Sequence, residues 1–340
     1  MMPTAHGPCR FGQYAPYLRK LMDEMGYQDV VIFSPTSGDG YDGYDSPRAG
    51  LAQNLWMCVI TGDLALKFLL KTRPYETTAG DSDEVFQQSI AEFERILERP
   101  GPTPRQRRAE VVAGIERMRD RFRAVPARYR KDRPLIGLVG EIFCRHNTFS
   151  NDDVARRVEK FGGECWLSDI AEWVWYVNVY VHDKIVQEQG RLNLALLKQT
   201  LKTAVQRKYE HALLAPVQQD FRGYEEPHDV REVLAAAEPF LPTRGCVGEM
   251  VLSIGKAIYL YRKGADGILD ISPFTCMNGI ICEGVYPAVS EAHDKLPIRI
   301  CYFDGTNANI DRDIEIFLDL ARAYEARKRI RRVYPPCFDE

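Results

Sequence analysis

Nine cysteines are the residues of this 340-residue chain best suited to chemistry, and no two of them form a Cys-x-x-Cys pair. An odd count with long, irregular spacings argues against a complete disulfide framework and leaves core thiols or metal ligands. Zinc ribbons and simple ferredoxin patterns are absent, so a cluster would have to gather ligands from distant parts of the chain. Cys276, in Pro273-Phe-Thr-Cys-Met-Asn-Gly279, falls between a strand end and a helix start. Backbone N–H groups and the helix dipole favour a thiolate there, the form that ligates iron. Spacing alone leaves an unliganded loop thiol equally open. Cys9, in Gly7-Pro-Cys-Arg-Phe-Gly-Gln-Tyr14, also precedes a helix, beside Arg10. Taken by itself, it reads more readily as a loop thiol than as a ligand. Cys246, at a helix start after Gly245, is a candidate third ligand. Cys58 reads as core on an apolar helix, Cys165 and Cys301 as buried strand thiols, and Cys282 as core. Cys144 is ambiguous, and Cys337 in its Pro-rich tail reads as incidental.

Other chemistries have less support. The six histidines do not cluster. Only His146 lies where a ligand would bind, and a surface loop histidine is the favoured reading. Glu141 reads either as a general acid/base or as a helix-cap partner. Gly38-Asp-Gly-Tyr-Asp-Gly43 matches G-x-G-x-x-G, yet Asp39, Asp42 and Asp45 would repel a pyrophosphate. Gly248 to Lys256 departs from a phosphate loop in its glycine spacing and in having Ala257 where Ser/Thr belongs. The run Arg327-Lys-Arg-Ile-Arg-Arg332 reads as a solvated helix end.

These residues need elements to position them. Apolar spacing predicts a helix over Pro16–Met25, a buried strand over Asp29–Phe33, and a long helix from Ser46 and Pro47 to Lys71. Further helices are expected over Asp83–Leu97 and Arg105–Val125. From Pro134 the pattern alternates: strands at Pro134–Gly140, Glu164–Leu167, Gly267–Ser272 and Pro297–Phe303, with helices between them and a last helix over Ile310–Arg332. A capping box is expected at Ser150–Asp153. Alternation implies a parallel sheet covered on both faces, with ligands beyond the strand carboxyl ends. The expected fold is therefore α/β: two Rossmann-like (flavodoxin-like) lobes with helical insertions, residues 1–130 carrying Cys9 and 131–340 carrying Cys276. The first lobe shows one convincing strand, so its sheet is incomplete, or completed by a partner chain.

Forty-five basic against forty-eight acidic residues give a net charge of −3, which makes no case for nucleic acid. The most apolar segment, Leu55–Leu70, carries Asp63 and Lys67 and is short of the roughly 20 residues of a membrane span. Met1–Arg10 lacks a signal-peptide pattern, so a cytoplasmic location is expected.

The block around Cys9 resembles the cysteine motif of CoA-substrate-specific enzyme activases, in the superfamily of 2-hydroxyglutaryl-CoA dehydratase, benzoyl-CoA reductase and the double-cubane-cluster proteins. Arg73-Pro-Tyr-Glu76, Val139-Gly-Glu141 with Phe149-Ser-Asn151, and Ile271-Ser-Pro-Phe-Thr-Cys-Met277 are similar to further blocks of that group. The resemblance implies two α/β domains facing across a cleft that holds an iron–sulfur cluster, of 4Fe-4S or double-cubane type. Cys9 and Cys276 match cysteine positions of the family and would be ligands. It further implies a separate ATP-hydrolysing activase as electron donor, a second cysteine-bearing subunit and an acyl-CoA substrate, in an oxygen-sensitive system. The activase module of longer family members is missing, so a partner chain would complete the ligand set. The chain would then be a dehydratase or reductase component, or a non-catalytic cluster-carrying or scaffold subunit.

Overall fold

The computed structural model describes residues 9–32, 34, 50–245, 248–306 and 309–339. Four strands, β1 (Leu135–Gly140), β2 (Glu164–Leu167), β3 (Gly267–Pro273) and β4 (Ile298–Phe303), form one parallel sheet in the order β2-β1-β3-β4. The run Leu135–Gly140 is buried throughout, as a central parallel strand must be. Successive side chains then alternate between the two faces. Leu135, Val139, Ile268 and Trp166 join one apolar layer, while Ile136, Leu138, Leu269 and Ile271 join the other. Each such side chain stabilises the fold by about 1.5–3 kcal/mol on burial.

The second layer is closed by α6 (Val154–Lys160) and α12 (Ile310–Glu325), through Val158, Ile314, Phe317 and Leu318. The first is thicker. α9 (Val230–Ala237), α10 (Glu249–Arg262) and α11 (Met277–Ala292) lie in it. α10 is buried on all sides from Glu249 to Ile258, the pattern of a helix inside the core. Against it pack α2 (Leu51–Thr72), α3 (Asp81–Glu98), α4 (Pro104–Ala124), α7 (Ile170–Gln189) and α8 (Leu194–Leu214). One continuous apolar cluster thus runs from Trp56 and Phe122 to Leu135 and Tyr324. A short helix, α1 (Tyr14–Glu24), precedes these.

Several sequence expectations change. Asp29–Ile32 form no strand, and Val31 is 89% exposed, with no strand beside it among the described residues; Phe33 lies outside the described residues. The Gly38–Gly43 motif, Ser46, Pro47 and Cys246 also lie outside them. No capping box forms at Ser150–Asp153, because Asp152 and Asp153 adopt φ 53° and 51° and Asp153 makes no side-chain cap. Asn151 is buried instead, donating to the carbonyls of Cys144 and Arg145. The last helix stops at Glu325. Its basic tail then turns inward rather than into solvent: Lys328 pairs with Asp266 at 2.6 Å and Arg332 with Glu164 at 2.6 Å, all four side chains buried. Burying those charges is tolerable only because each has a partner.

Candidate functional site

The chain leaves β1 for β2 on one side of the sheet and later returns to place β3 on the other. The carboxyl ends of β1 and β3 are therefore a topological switch point, where open α/β sheets form a crevice. At the end of β1, Gly140 has φ 113°, and a Cβ there would meet the Ile271 carbonyl at 2.2 Å. Only glycine fits such a backbone approach. It lets the Glu141 N–H donate to Ile271 O at 2.9 Å, so the β1 loop lies against β3.

The loop enters α5 (Ile142–His146), whose amino end is held by two carboxyl groups. Glu141 accepts from the N–H groups of Phe143 (3.1 Å) and Cys144 (2.7 Å). Glu249, the first residue of α10, accepts from Ile142 N–H at 2.7 Å. Burial, joined by the nearby Glu141 charge, pushes Glu249 up to about 8, with Arg145 opposing. Glu249 therefore favours its protonated form at neutral pH.

Across the crevice, Cys276 is the N-cap of α11 and is half-buried. Burial raises its pKa, helped by Glu249 and Glu141; the nearby N–H groups of Gly279 and Asn278 oppose this, though the sulfur makes no side-chain cap hydrogen bond. The thiolate expected from helix position alone is thus overturned by desolvation and neighbouring carboxylates. Cys144 is buried and pushed up to about 12 by burial, with Glu141 and Cys276 adding to it. Below them, Asp270 of β3 accepts from Ser272 Oγ (2.9 Å) and Tyr286 OH (2.7 Å).

On the β2 side α5 ends at His146, whose Nε2 lies 3.1 Å from Ser168 O. Burial and then Arg145 lower its pKa to about 3, so the ring is neutral. It borders a cavity with Asp63, Lys67, Lys71, Trp166 and Tyr224. Asp63, on α2, accepts from the N–H groups of Ile170 (3.0 Å) and Ala171 (2.9 Å) and so caps α7 from another helix. Burial is the main cause that raises it to about 7. Lys67 bonds Glu226 at 2.5 Å, and fully buried Lys256 bonds both Glu172 (2.9 Å) and Glu226. Against the effect of burial, Lys256 and Lys67 bring Glu226 down to about 2.

Of the residues singled out from sequence, Cys276, Glu141 and His146 therefore sit at the strand carboxyl ends. Glu141 is a helix-cap partner, and His146 is half-buried rather than on an open surface loop. Cys9 is half-buried ahead of the turn Arg10–Gln13. Cys165, Cys282 and Cys301 are buried as expected. Cys58 is exposed on α2 rather than in the core, and Cys337 is not incidental, since its Sγ lies 3.9 Å from the buried Lys71 amine. Glu249 and Asp63 carry no sequence signal, because only the packing of α10 and α2 brings them to the strand ends. Among the described residues no group of three or more His, Cys, Asp or Glu side chains could hold a metal ion. A cubane takes about four thiolates, so the described residues alone do not complete a cluster site. Among the described residues, no helix is long and apolar enough to cross a membrane. Compared with protein-family models, curated proteins and solved structures, the chain matches none.

Proposed function

We propose that the chain is the iron–sulfur component of an ATP-dependent, low-potential electron-transfer system of the 2-hydroxyacyl-CoA dehydratase/reductase type, receiving electrons from a separate activase. One observation carries this reading. Of the blocks that resemble the family, Val139–Glu141 and Phe149–Asn151 are neighbours in sequence, and Ile271–Met277, more than 100 residues later, joins them around the switch point. Gly140, Asn151 and Cys276 each have a local task there: close approach, support of α5, and a thiol facing the crevice. Backbone N–H groups at a helix start, near the sulfur, are of the kind that tunes an iron–sulfur ligand. Cys276 would be one ligand, Cys9 and Cys246 candidate others, and a second cysteine-bearing subunit would supply the rest. In this reading, residues 1–130 and 131–340 act as two lobes across that crevice in a cytoplasmic complex that handles an acyl-CoA.

A second reading, a non-catalytic cluster-carrying or scaffold subunit, is favoured by one feature. Both sequence-derived acid/base candidates are committed elsewhere, Glu141 to capping α5 and the half-buried His146 to a neutral state. The two readings part in one assay. The anaerobic complex, mixed with an ATP-hydrolysing activase, should show ATP-dependent reduction by electron paramagnetic resonance under the first or second reading. Turnover of an acyl-CoA that is lost on Cys276→Ser is expected only under the first. A complex that is never reduced would sink both.

A further inference from the structure

We propose that the outer face of α8 is a docking surface for an amphipathic helix with acidic flanks on another polypeptide. The inference stands whether or not a cluster is bound. α8 turns one face inward. Gln206 accepts from Trp56 Nε1 through its carbonyl and from Asn178 Nδ2 through Oε1, Glu210 accepts from Trp175 Nε1, and Gln199, Tyr209 and Leu213 are buried. The remaining face is not polar, as a solvent-facing helix side would be. Leu194, Leu197 and Leu201 are 66%, 65% and 65% exposed, Val205 is also exposed, and Leu192 just before the helix is 99% exposed. The spacing 194, 197, 201, 205 places these side chains in one ridge, the i, i+3, i+7 pattern of a helix seam. Scattered exposed leucines are ordinary, whereas a continuous ridge marks a contact surface.

Charge selects the occupant. Lys198 and Lys202 flank the ridge, Lys208 continues it and Arg191 precedes it, all exposed. Glu210 is the helix's one acidic residue, and it faces inward to Trp175. In a second copy laid antiparallel on the ridge, Lys198 and Lys208 would meet lysines of the same helix, which costs rather than stabilises. Against an anionic membrane, the ridge offers no aromatic anchor, and Asp183 and Glu188 on α7 expose carboxylates on the same hairpin. An acid-flanked helix complements both the apolar seam and the exposed Lys198 and Lys208 beside it.

The test uses two synthetic helical peptides with leucines at three- and four-residue spacing, one flanked by glutamates and one by lysines. Their binding to the full chain is followed by fluorescence anisotropy at low and high salt. The glutamate peptide should bind saturably and weaken with salt, and the Leu197→Ser/Leu201→Ser variant should lose about tenfold or more in affinity. The Lys198→Glu/Lys208→Glu variant should prefer the lysine peptide. These exposed substitutions should leave circular dichroism and melting unchanged, so lost binding is not lost folding. Equal binding of both peptides, indifference to either variant, or no binding would overturn the proposal. So would self-association through the ridge in sedimentation, or ridge-dependent binding to anionic vesicles.

Discussion

Replacing Glu249 by Gln should make the protein more stable, and increasingly so as pH rises. Glu249 is buried, and its acid constant moves from 4.5 to about 8 on folding. A raised carboxyl pKa means that the folded state holds a proton the unfolded chain has released, so stability falls as pH climbs from 4.5 to about 8 and is level above that. At about 1.4 kcal/mol per unit, the burden is about 1 kcal/mol at pH 5 and about 4 kcal/mol at pH 8, taken as ceilings. Glutamine carries no charge, and its amide oxygen still accepts the Ile142 N–H now held at 2.7 Å. The gain over wild type should therefore widen by about 2–3 kcal/mol between pH 5 and pH 8. Urea unfolding followed by circular dichroism at both pH values reads this directly. A variant no more stable than wild type at pH 8, or one whose advantage does not grow with pH, would refute the reasoning.

Other perturbations have equally definite outcomes. Arg332→Met leaves Glu164 charged and buried, so it should cost about 3–5 kcal/mol in urea unfolding. Adding Glu164→Gln should restore most of that loss, since one of the Tyr75 and Tyr224 hydroxyls that now donate to Glu164 can donate to the amide oxygen and the other can accept from the amide NH2. His146, lowered from 6.5 to about 3, contributes stability that is complete above pH 6.5 and lost as pH falls toward 3. Its ring resonances should stay constant between about pH 5 and 8, where an ordinary histidine titrates. A midpoint near 6.5 would place the ring in solvent.

The sheet was legible because its strands carry strong local signals. Leu135–Gly140 is an unbroken apolar run, and Glu164–Leu167 follows a glycine pair, so both strands were found within a residue of their ends. Asp29–Ile32 has the same β-branched character but, among the described residues, no strand beside it, and a strand exists only through its partner. The final helix was read too long, because Arg327–Arg332 looks like a basic helix end until tertiary contacts with Asp266 and Glu164 draw it inward. The site was half legible. Cys276 could be placed because strand-to-helix junctions are predictable. Its raised pKa could not, since it comes from burial and from Glu249, a residue 27 positions away on another helix. Asp63 is similar: its carboxylate caps a helix more than 100 residues downstream.

Metal analysis of Cys276→Ser tests the central claim most directly. Chain purified without oxygen, alone and co-expressed with a second cysteine-bearing subunit, should be brown and contain iron and acid-labile sulfide. Cys276→Ser should lose most of both with unchanged circular dichroism, while Cys58→Ser, altering an exposed thiol on α2, should keep them. Iron and sulfide that persist undiminished in Cys276→Ser, or that never appear in either preparation, would contradict the account.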